Sequence, residues 1–343
     1  EYTQRKLGSG SWREGTVRNH RPKINALLEV LGQDILVSQI TVDDARRYSK
    51  IIELLPPRFA VDGYDDLSKV TPAMLKGKHE ETLDVSTRRE YLNFARSMFN
   101  FALESEYVNK NPFISGIIPP KKANPREQRL PFDQADLELI FNPETYLTWS
   151  KGHPSRFFIP LLALYTGSRL EELASLHCED VFKHEGLWCI EHNFNNGRKL
   201  KNPNAVRTIP MHPLLIDDLK FHMYVDSVRS DGQSKVFPEL TPANGKLSHN
   251  WGKAFGRYLR NKVNIRDTKK TFHSFRHTVT DHLYKSLVME TTIEELRGGA
   301  GKTEGRIRYF KGYNATTLYR ECILKLNYGV DLFHLKESDF VIE

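Results

Sequence analysis

Two short runs carry side chains whose type and spacing suit an anion. In Tyr165-Thr-Gly-Ser-Arg-Leu-Glu-Glu-Leu-Ala-Ser-Leu176, Ser168 and Glu171 have the spacing of a capping box, which predicts a helix with Arg169 at its first position. Free backbone N–H groups and the helix dipole favour an anion there. A guanidinium added to that place makes a phosphate-sized site, and Glu172, three residues on, has the reach to orient it. In Thr271-Phe-His-Ser-Phe-Arg-His-Thr278, Phe272, Phe275, Val279 and Leu283 fall on one helical stripe. His273, Arg276 and His277 then share the other face. A His and an Arg one turn apart can donate together to one phosphate. Either run alone is equally well explained by ion pairs on a solvated helix.

The elements that must position these runs differ along the chain. Residues 16–31 and 42–55 have helical apolar spacing, the first ending at Gly32 and the second at Pro56-Pro57. A capping-box pattern at Thr87-Arg-Arg-Glu90 predicts the start of a third helix with a wide apolar face. The break at Ile118-Pro-Pro-Lys-Lys-Ala-Asn-Pro-Arg-Glu-Gln-Arg129 holds three prolines and four basic residues, which reads as an extended linker. The expected division is therefore a helical domain over 1–118, a basic Pro-rich linker over 119–129, and a mixed domain over 130–343. In the mixed domain, 155–166 and 169–177 read as helices. Leu187–Glu191 and Val206–Pro210 read as strands, with Asn196-Gly197 as a hairpin signal between them. The expected fold class is mainly α with a small antiparallel β-sheet.

Composition narrows the function. The 343 residues include 50 Lys and Arg against 43 Asp and Glu, a formal charge of +7. The excess is patchy: Asn250 to Lys270 holds seven basic residues and one acid, and residues 1–24 hold six basic residues and two acids. Lys253, Arg257 and Arg260 follow i, i+4, i+7 spacing, a helix face suited to phosphates of a polyanionic partner. Nineteen Phe and 14 Tyr argue against disorder. No run approaches the ~20 apolar residues that span a bilayer, so a soluble protein without a membrane partner is expected. Three cysteines are too few for a disulfide framework and suit a reducing compartment. The histidines lack ligand spacing, so no metal is expected. The first residue is Glu with no charged-then-apolar run behind it, so no signal peptide is expected, and the missing initiator Met suggests that an N-terminal element was cut away.

Together and in this order, Thr166-Gly-Ser-Arg169-Leu-Glu-Glu172-Leu and His273-Ser-Phe-Arg276-His-Thr resemble the tyrosine recombinase (phage integrase) family. Lys201-Asn-Pro-Asn-Ala-Val-Arg-Thr-Ile-Pro210 looks like that family's catalytic-lysine hairpin, and Arg308-Tyr309-Phe-Lys-Gly-Tyr313 like its nucleophile segment. The resemblance covers roughly 130–335, and the helical part fits the family's core-DNA-binding domain more loosely. It implies a site-specific recombinase that cuts and rejoins DNA through a 3′-phosphotyrosine, with no cofactor. Tyr309 would be the nucleophile, Lys201 the proton donor to the leaving 5′-oxygen, Arg169 and Arg276 the phosphate ligands, and His273 an assistant to nucleophile and phosphate, with Glu172 in support. The implied partner is double-stranded DNA carrying specific sites, gripped by Lys121, Lys122, Lys253, Arg257 and Arg260. A homotetramer on two sites is implied, with the tail after Tyr309 docked on a neighbour. A cytoplasmic, nucleoid-associated protein of bacterial or phage origin follows. A type IB topoisomerase and a catalytically weakened DNA-binding relative share much of this pattern.

One position departs from the family. Where it usually has Leu-x-Gly-His or Trp, this chain has Leu296-Arg-Gly298-Gly299, and Gly299 has no side chain to donate. Arg297, Lys302 or Thr303 could cover the gap. The same stretch, Gly298-Gly-Ala-Gly-Lys302-Thr303, resembles part of a phosphate-binding P-loop, but Leu296 stands where that motif needs Gly. Tyr313 and Tyr319 compete with Tyr309 as nucleophiles; Arg308-Tyr309 and the following Lys-Gly-Tyr match the family's local pattern and favour Tyr309, and packing on adjacent helices is the alternative for the other two.

Overall fold

A computed structural model describes residues 1–59, 66–120, 129–198, 206–299 and 312–342, and the chain divides into two units, Glu1–Pro125 and Arg126–Glu343. The first contains helices α1 (Tyr2–Gly8), α2 (Glu14–Leu31), α3 (Val42–Leu54), α4 (Pro72–Leu75) and α5 (Val85–Glu104). The apolar period read across 16–31 and 42–55 places Leu27 and Val30 of α2 in one core with Tyr48, Ile51 and Ile52 of α3 and Phe94 and Phe99 of α5. Helix α5 starts two residues before the predicted box. Its N-cap is Asp84, whose carboxylate accepts the N–H groups of Ser86 and Thr87 and sits at the positive end of the dipole. Glu90, the expected box partner, pairs instead with Lys23 at 2.8 Å.

The second unit carries the sheet and both anion-directed runs. Helices α6 (Gln134–Ile140), α7 (Pro143–Ser150), α8 (Pro154–Thr166) and α9 (Leu170–Ala174) lead into strands β1 (Val181–His184), β2 (Leu187–His192) and β3 (Arg207–Pro210). After them come α10 (Phe221–Ser230), α11 (Ser248–Asn261), α12 (Ser274–Lys285), α13 (Glu290–Arg297) and α14 (Ala315–Glu321). The strands form one antiparallel sheet in the order β1-β2-β3, so the chain is mainly α with a small antiparallel sheet. Strand β1, absent from the sequence reading, buries only Val181 and so leaves no alternating apolar signal. Asn196 (φ 57) and Gly197 (φ 72) are left-handed as a turn signal requires. They lie in a 3₁₀ turn, Asn195–Gly197, and β3 begins only at Arg207, so no two-residue hairpin joins the strands.

Helix α8 is the spine of this unit. Phe157 to Thr166 are all buried, which is why the run has no polar face. Phe275 and Val279 of α12 are fully buried in the same core. The stripe predicted for α12 is real: Phe272, Phe275, Val279 and Leu283 are all buried. Aromatic rings anchor its N-terminal end, since Phe272 and Phe275 meet Phe255 of α11 at 5.5 and 5.7 Å between centroids. The first of these contacts is edge-to-face and the second tilted, geometries that fix direction as well as burying area.

The segment after α14 also packs at home. Cys322, Ile323, Leu326, Leu332 and Leu335 are buried in the unit's own core, while Leu324 between them is exposed. All three cysteines are buried and free. Among the described residues no helix is long and apolar enough to cross a membrane.

Candidate active site

The corner that holds Arg169 is made by a glycine. Helix α8 closes on Gly167 in the left-handed conformation (φ 64), its N–H donating to the Ala163 carbonyl. A Cβ there would stand 3.3 Å from Val279 Cγ1 of α12, so both backbone angle and close helix approach call for glycine. The chain then turns through Ser168 into α9. Arg169 is the N-cap of that helix, not its first residue, and the box partner is Glu172, not Glu171. Glu172 Oε2 accepts the Arg169 N–H at 2.9 Å, and Oε1 accepts Arg169 Nη1 at 2.6 Å. Glu171 points elsewhere and accepts the N–H groups of Leu247 and Ser248 at the start of α11. Because α9 has only five residues, the charge at this corner comes from side chains and not from a helix dipole.

A second arginine, absent from the sequence reading, stands behind the first. Arg207 on β3 is buried; its Nη2 donates to Glu172 Oε2 at 2.9 Å and its Nε to the Leu296 carbonyl at 2.9 Å. Strand register brings it there. His192 of β2 lies opposite Arg207, and His192 Nε2 meets Ser168 Oγ at 2.8 Å. Burial alone would raise the Glu172 carboxyl, but the Arg207 charge, His192 and the hydrogen bonds from Arg207 and Arg169 outweigh it. Glu172 is thus held well below the usual carboxylate range. Burial, then the Arg207 charge, pulls His192 down to about 3, so it is neutral.

A buried pair broken on one side leaves its partner's charge uncompensated. Glu172→Ala is therefore expected to lower unfolding stability by roughly 3–5 kcal/mol, read as a lower urea midpoint. Because the folded carboxyl is depressed, the stabilisation by Glu172 is present above the unfolded value of ~4 and is lost as pH falls below it. The wild-type protein should lose stability through that acid range more steeply than Glu172→Gln.

Arg276 meets the same corner from α12. It is 4% exposed; Nη1 donates to the Gly167 carbonyl at 2.8 Å and Nη2 to the Arg297 carbonyl at 2.7 Å. Arg169 and Arg276 are thereby brought to opposite ends of one short turn. Burial first, then the charges of Arg297, Arg169 and Arg207, pull Arg276 down to about 9, still protonated at neutral pH. His273 caps α12. Partial burial, then His277, Arg276, Arg169 and Arg129, lowers its imidazole to about 4, and His277 is lowered by burial, Arg297, Arg276 and Arg129. Glu172 answers the charge of Arg169 and Arg207, and a phosphate is an anion that Arg276 could share with Arg169.

The remaining sequence candidates divide. Lys201, Tyr309, Lys302, Thr303, Lys121 and Lys122 lie outside the described residues. Gly299 is exposed and follows Gly298, which ends α13 in the left-handed conformation (φ 64). A helix and not a strand precedes these glycines, and Gly298 serves as a helix stop, which removes the P-loop reading. Tyr313 Oη lies 3.0 Å from Thr291 Oγ1, and Tyr319 packs on the core from α14. On α11, Lys253 and Arg257 are exposed. Arg260 is not free on that face: it donates to the carbonyls of Ile265 and Lys270 and ties the loop ahead of α12. Among the described residues no cluster of His, Cys, Asp and Glu could hold a metal ion.

A model of the phage integrase family matches residues 133–309, just over half of the chain. A tyrosine recombinase XerC-like protein of Caldanaerobacter subterraneus subsp. tengcongensis is 27% identical over 234 residues, or 60% of this chain and 57% of the relative. The chain thus spans little more than half the length of that relative. A fragment of the Tn1549 transposon integrase, solved with a circular intermediate DNA, matches with TM-score 0.56 at 18% identity, covering 95% of this chain and 98% of the other. A lambda integrase dimer bound to a COC′ core site gives TM-score 0.53 at 16% identity, over 91% and 95%. At these identities the two structures establish a shared fold.

Proposed function

The chain belongs to the phage integrase family, and on that premise we propose that it cuts and rejoins DNA strands at specific sites. The observation that carries this reading is the convergence of Arg169 and Arg276 on the Gly167 turn, with His273 beside them and Glu172 holding Arg169 in place. In the proposed reaction the Tyr309 hydroxyl passes its proton to the neutral His273 as its oxygen attacks the scissile phosphorus, and the bond to the 5′-oxygen breaks. Lys201 gives that oxygen a proton. The bond energy is kept in the phosphotyrosine ester, so a second 5′-hydroxyl can reverse the step without a nucleotide or metal cofactor. Negative charge gathers on the non-bridging oxygens, where planar forked guanidiniums fit better than ammonium groups.

Exchange between two duplexes needs four strands cut, each by one tyrosine, so the proposed working form is a homotetramer on two sites. The proposed setting is the cytoplasm, on nucleoid DNA. Domain roles follow the same reading: 1–118 as core-DNA-binding domain, 119–129 as basic linker, and 130–343 as catalytic domain.

The test is covalent capture. Nicked suicide duplexes, randomised across the cut region, are incubated with the protein, and a denaturation-resistant protein–DNA band is scored. Absence of any adduct would overturn the reading, and relaxation of supercoiled DNA without paired sites would convert it to a topoisomerase. A further expected outcome concerns Lys121, Lys122, Lys253 and Arg257, proposed as phosphate contacts. Arg257→Ala should weaken binding about equally across sequences and make the slope of log affinity against log salt shallower by ~1. An unchanged slope in a salt titration removes that residue from the interface.

A further inference from the structure

Gly299 leaves the site short of a donor, and the residue two positions before it has one without a use. Arg297 is the last residue of α13. Its backbone is fixed from two sides: its own carbonyl accepts Arg276 Nη2 at 2.7 Å, and the preceding carbonyl, of Leu296, accepts Arg207 Nε at 2.9 Å. The end of α13 is thus bolted to both buried arginines of the site. The left-handed Gly298 stops the helix there. Gly299 N–H closes the turn on the Glu294 carbonyl at 2.8 Å.

The Arg297 Nε is buried and has no hydrogen-bond partner among the described residues. Its charge reaches Arg276 and His277, whose protonation it opposes. Burial above all lowers its own guanidinium; the Arg169 charge adds to this, while Tyr284 and Glu294 oppose it. A half-buried guanidinium kept beside two others, with a buried N–H unpaired, is costly for the protein alone. The cost is recovered when an anion enters between them.

On the recombinase reading above, we infer that Arg297 is a further catalytic residue, donating to the scissile phosphate in place of the side chain that Gly299 lacks. It brings a permanent charge and a planar fork where a neutral donor would bring one N–H. Its contact is therefore with charge on the non-bridging oxygens, and its worth rises as that charge grows in the transition state.

The test uses the whole chain and a suicide duplex selected by wild-type covalent capture, made with either a phosphate or a methylphosphonate at the scissile position. Methylphosphonate lacks one charged oxygen. Arg297→Ala is expected to bind DNA within about threefold of wild type and to cleave the phosphate roughly 10²-fold more slowly. On methylphosphonate its deficit should shrink to a few-fold, a change that a merely structural residue would not produce. Arg297→Gln keeps the packing of the stem and should give the same pattern if the alanine variant melts early. Gly299→His should change little by itself and recover about tenfold of the loss in the Arg297→Ala background. A Cβ at Gly299 meets nothing closer than 3.4 Å and the residue is outside the left-handed region, so that side chain can be accommodated. Wild-type cleavage rates in folded Arg297→Ala and Arg297→Gln, or equal deficits on both substrates, would overturn the assignment. Failure of wild type to form an adduct would instead overturn the recombinase reading beneath it.

Discussion

Replacing Tyr309 by Phe is expected to abolish covalent capture of DNA while leaving folding and DNA affinity unchanged. The substitution removes one oxygen, and that oxygen is the atom proposed to form the ester with phosphorus. Phenylalanine offers no nucleophile in its place, so the loss should approach the scale seen when other covalent enzymes lose their nucleophile, on the order of 10⁶-fold. Binding rests on other residues, and a filter-binding titration should therefore give a wild-type curve. Two competing tyrosines make the expectation specific. Tyr313 spends its hydroxyl on Thr291 at 3.0 Å, and Tyr319 packs against the core from α14. Peptide mapping of a trapped adduct should accordingly find DNA on Tyr309. An adduct on Tyr313 or Tyr319, or a Tyr309→Phe protein that still forms the band, would overturn the assignment.

What could be read from the sequence, and what could not, follows from how far apart the cooperating residues lie. Arg169, His273 and Arg276 were legible because each sits in a short run whose spacing alone sets its face. The stripe of Phe272, Phe275, Val279 and Leu283 could be placed inside with no knowledge of what it packs on. Arg207 could not be found in that way. Its partner Glu172 is in another element, and its neighbour His192 is set by register across a long connection. One signal was present: Arg207 and Ile209 alternate onto the same face of β3, and both are buried. A charged residue on the core side of a strand must have a buried partner.

Local rules also failed where tertiary demands were stronger. Ser168 has the chemistry of an N-cap, yet its hydroxyl serves His192, and the cap passes to Arg169. Arg260 completes an evenly spaced basic face, yet it holds two loop carbonyls. Spacing on a helix tells which residues share a side, but not whether a loop will fold back and claim one of them. The tail shows the same limit. Its apolar residues announce that they need a partner, and nothing in their spacing says whether that partner is another molecule or their own core.

The second large effect concerns Arg276, and its size comes from the two carbonyls it already holds. By donating to Gly167 and Arg297, the guanidinium is fixed before substrate arrives, with donors left over for a phosphate. No reorganisation is then needed as charge develops, which is the condition for a large electrostatic contribution. Arg276→Ala is expected to slow cleavage of a suicide substrate on the order of 10³-fold, at the upper end for one preorganised donor, while DNA affinity changes by a few-fold. Arg276→Lys should fall nearly as far, because an ammonium cannot span both carbonyls and still present a fork to phosphate. The alanine variant also leaves two carbonyls without their donor, so its melting curve must be measured beside its rate. If both variants are folded and bind DNA, their rates speak only to the transition state. Cleavage by either at the wild-type rate would mean that the Gly167 corner is not where the phosphate sits. A normal rate on methylphosphonate together with a slow one on phosphate would show that charge, and not geometry alone, is what Arg276 meets.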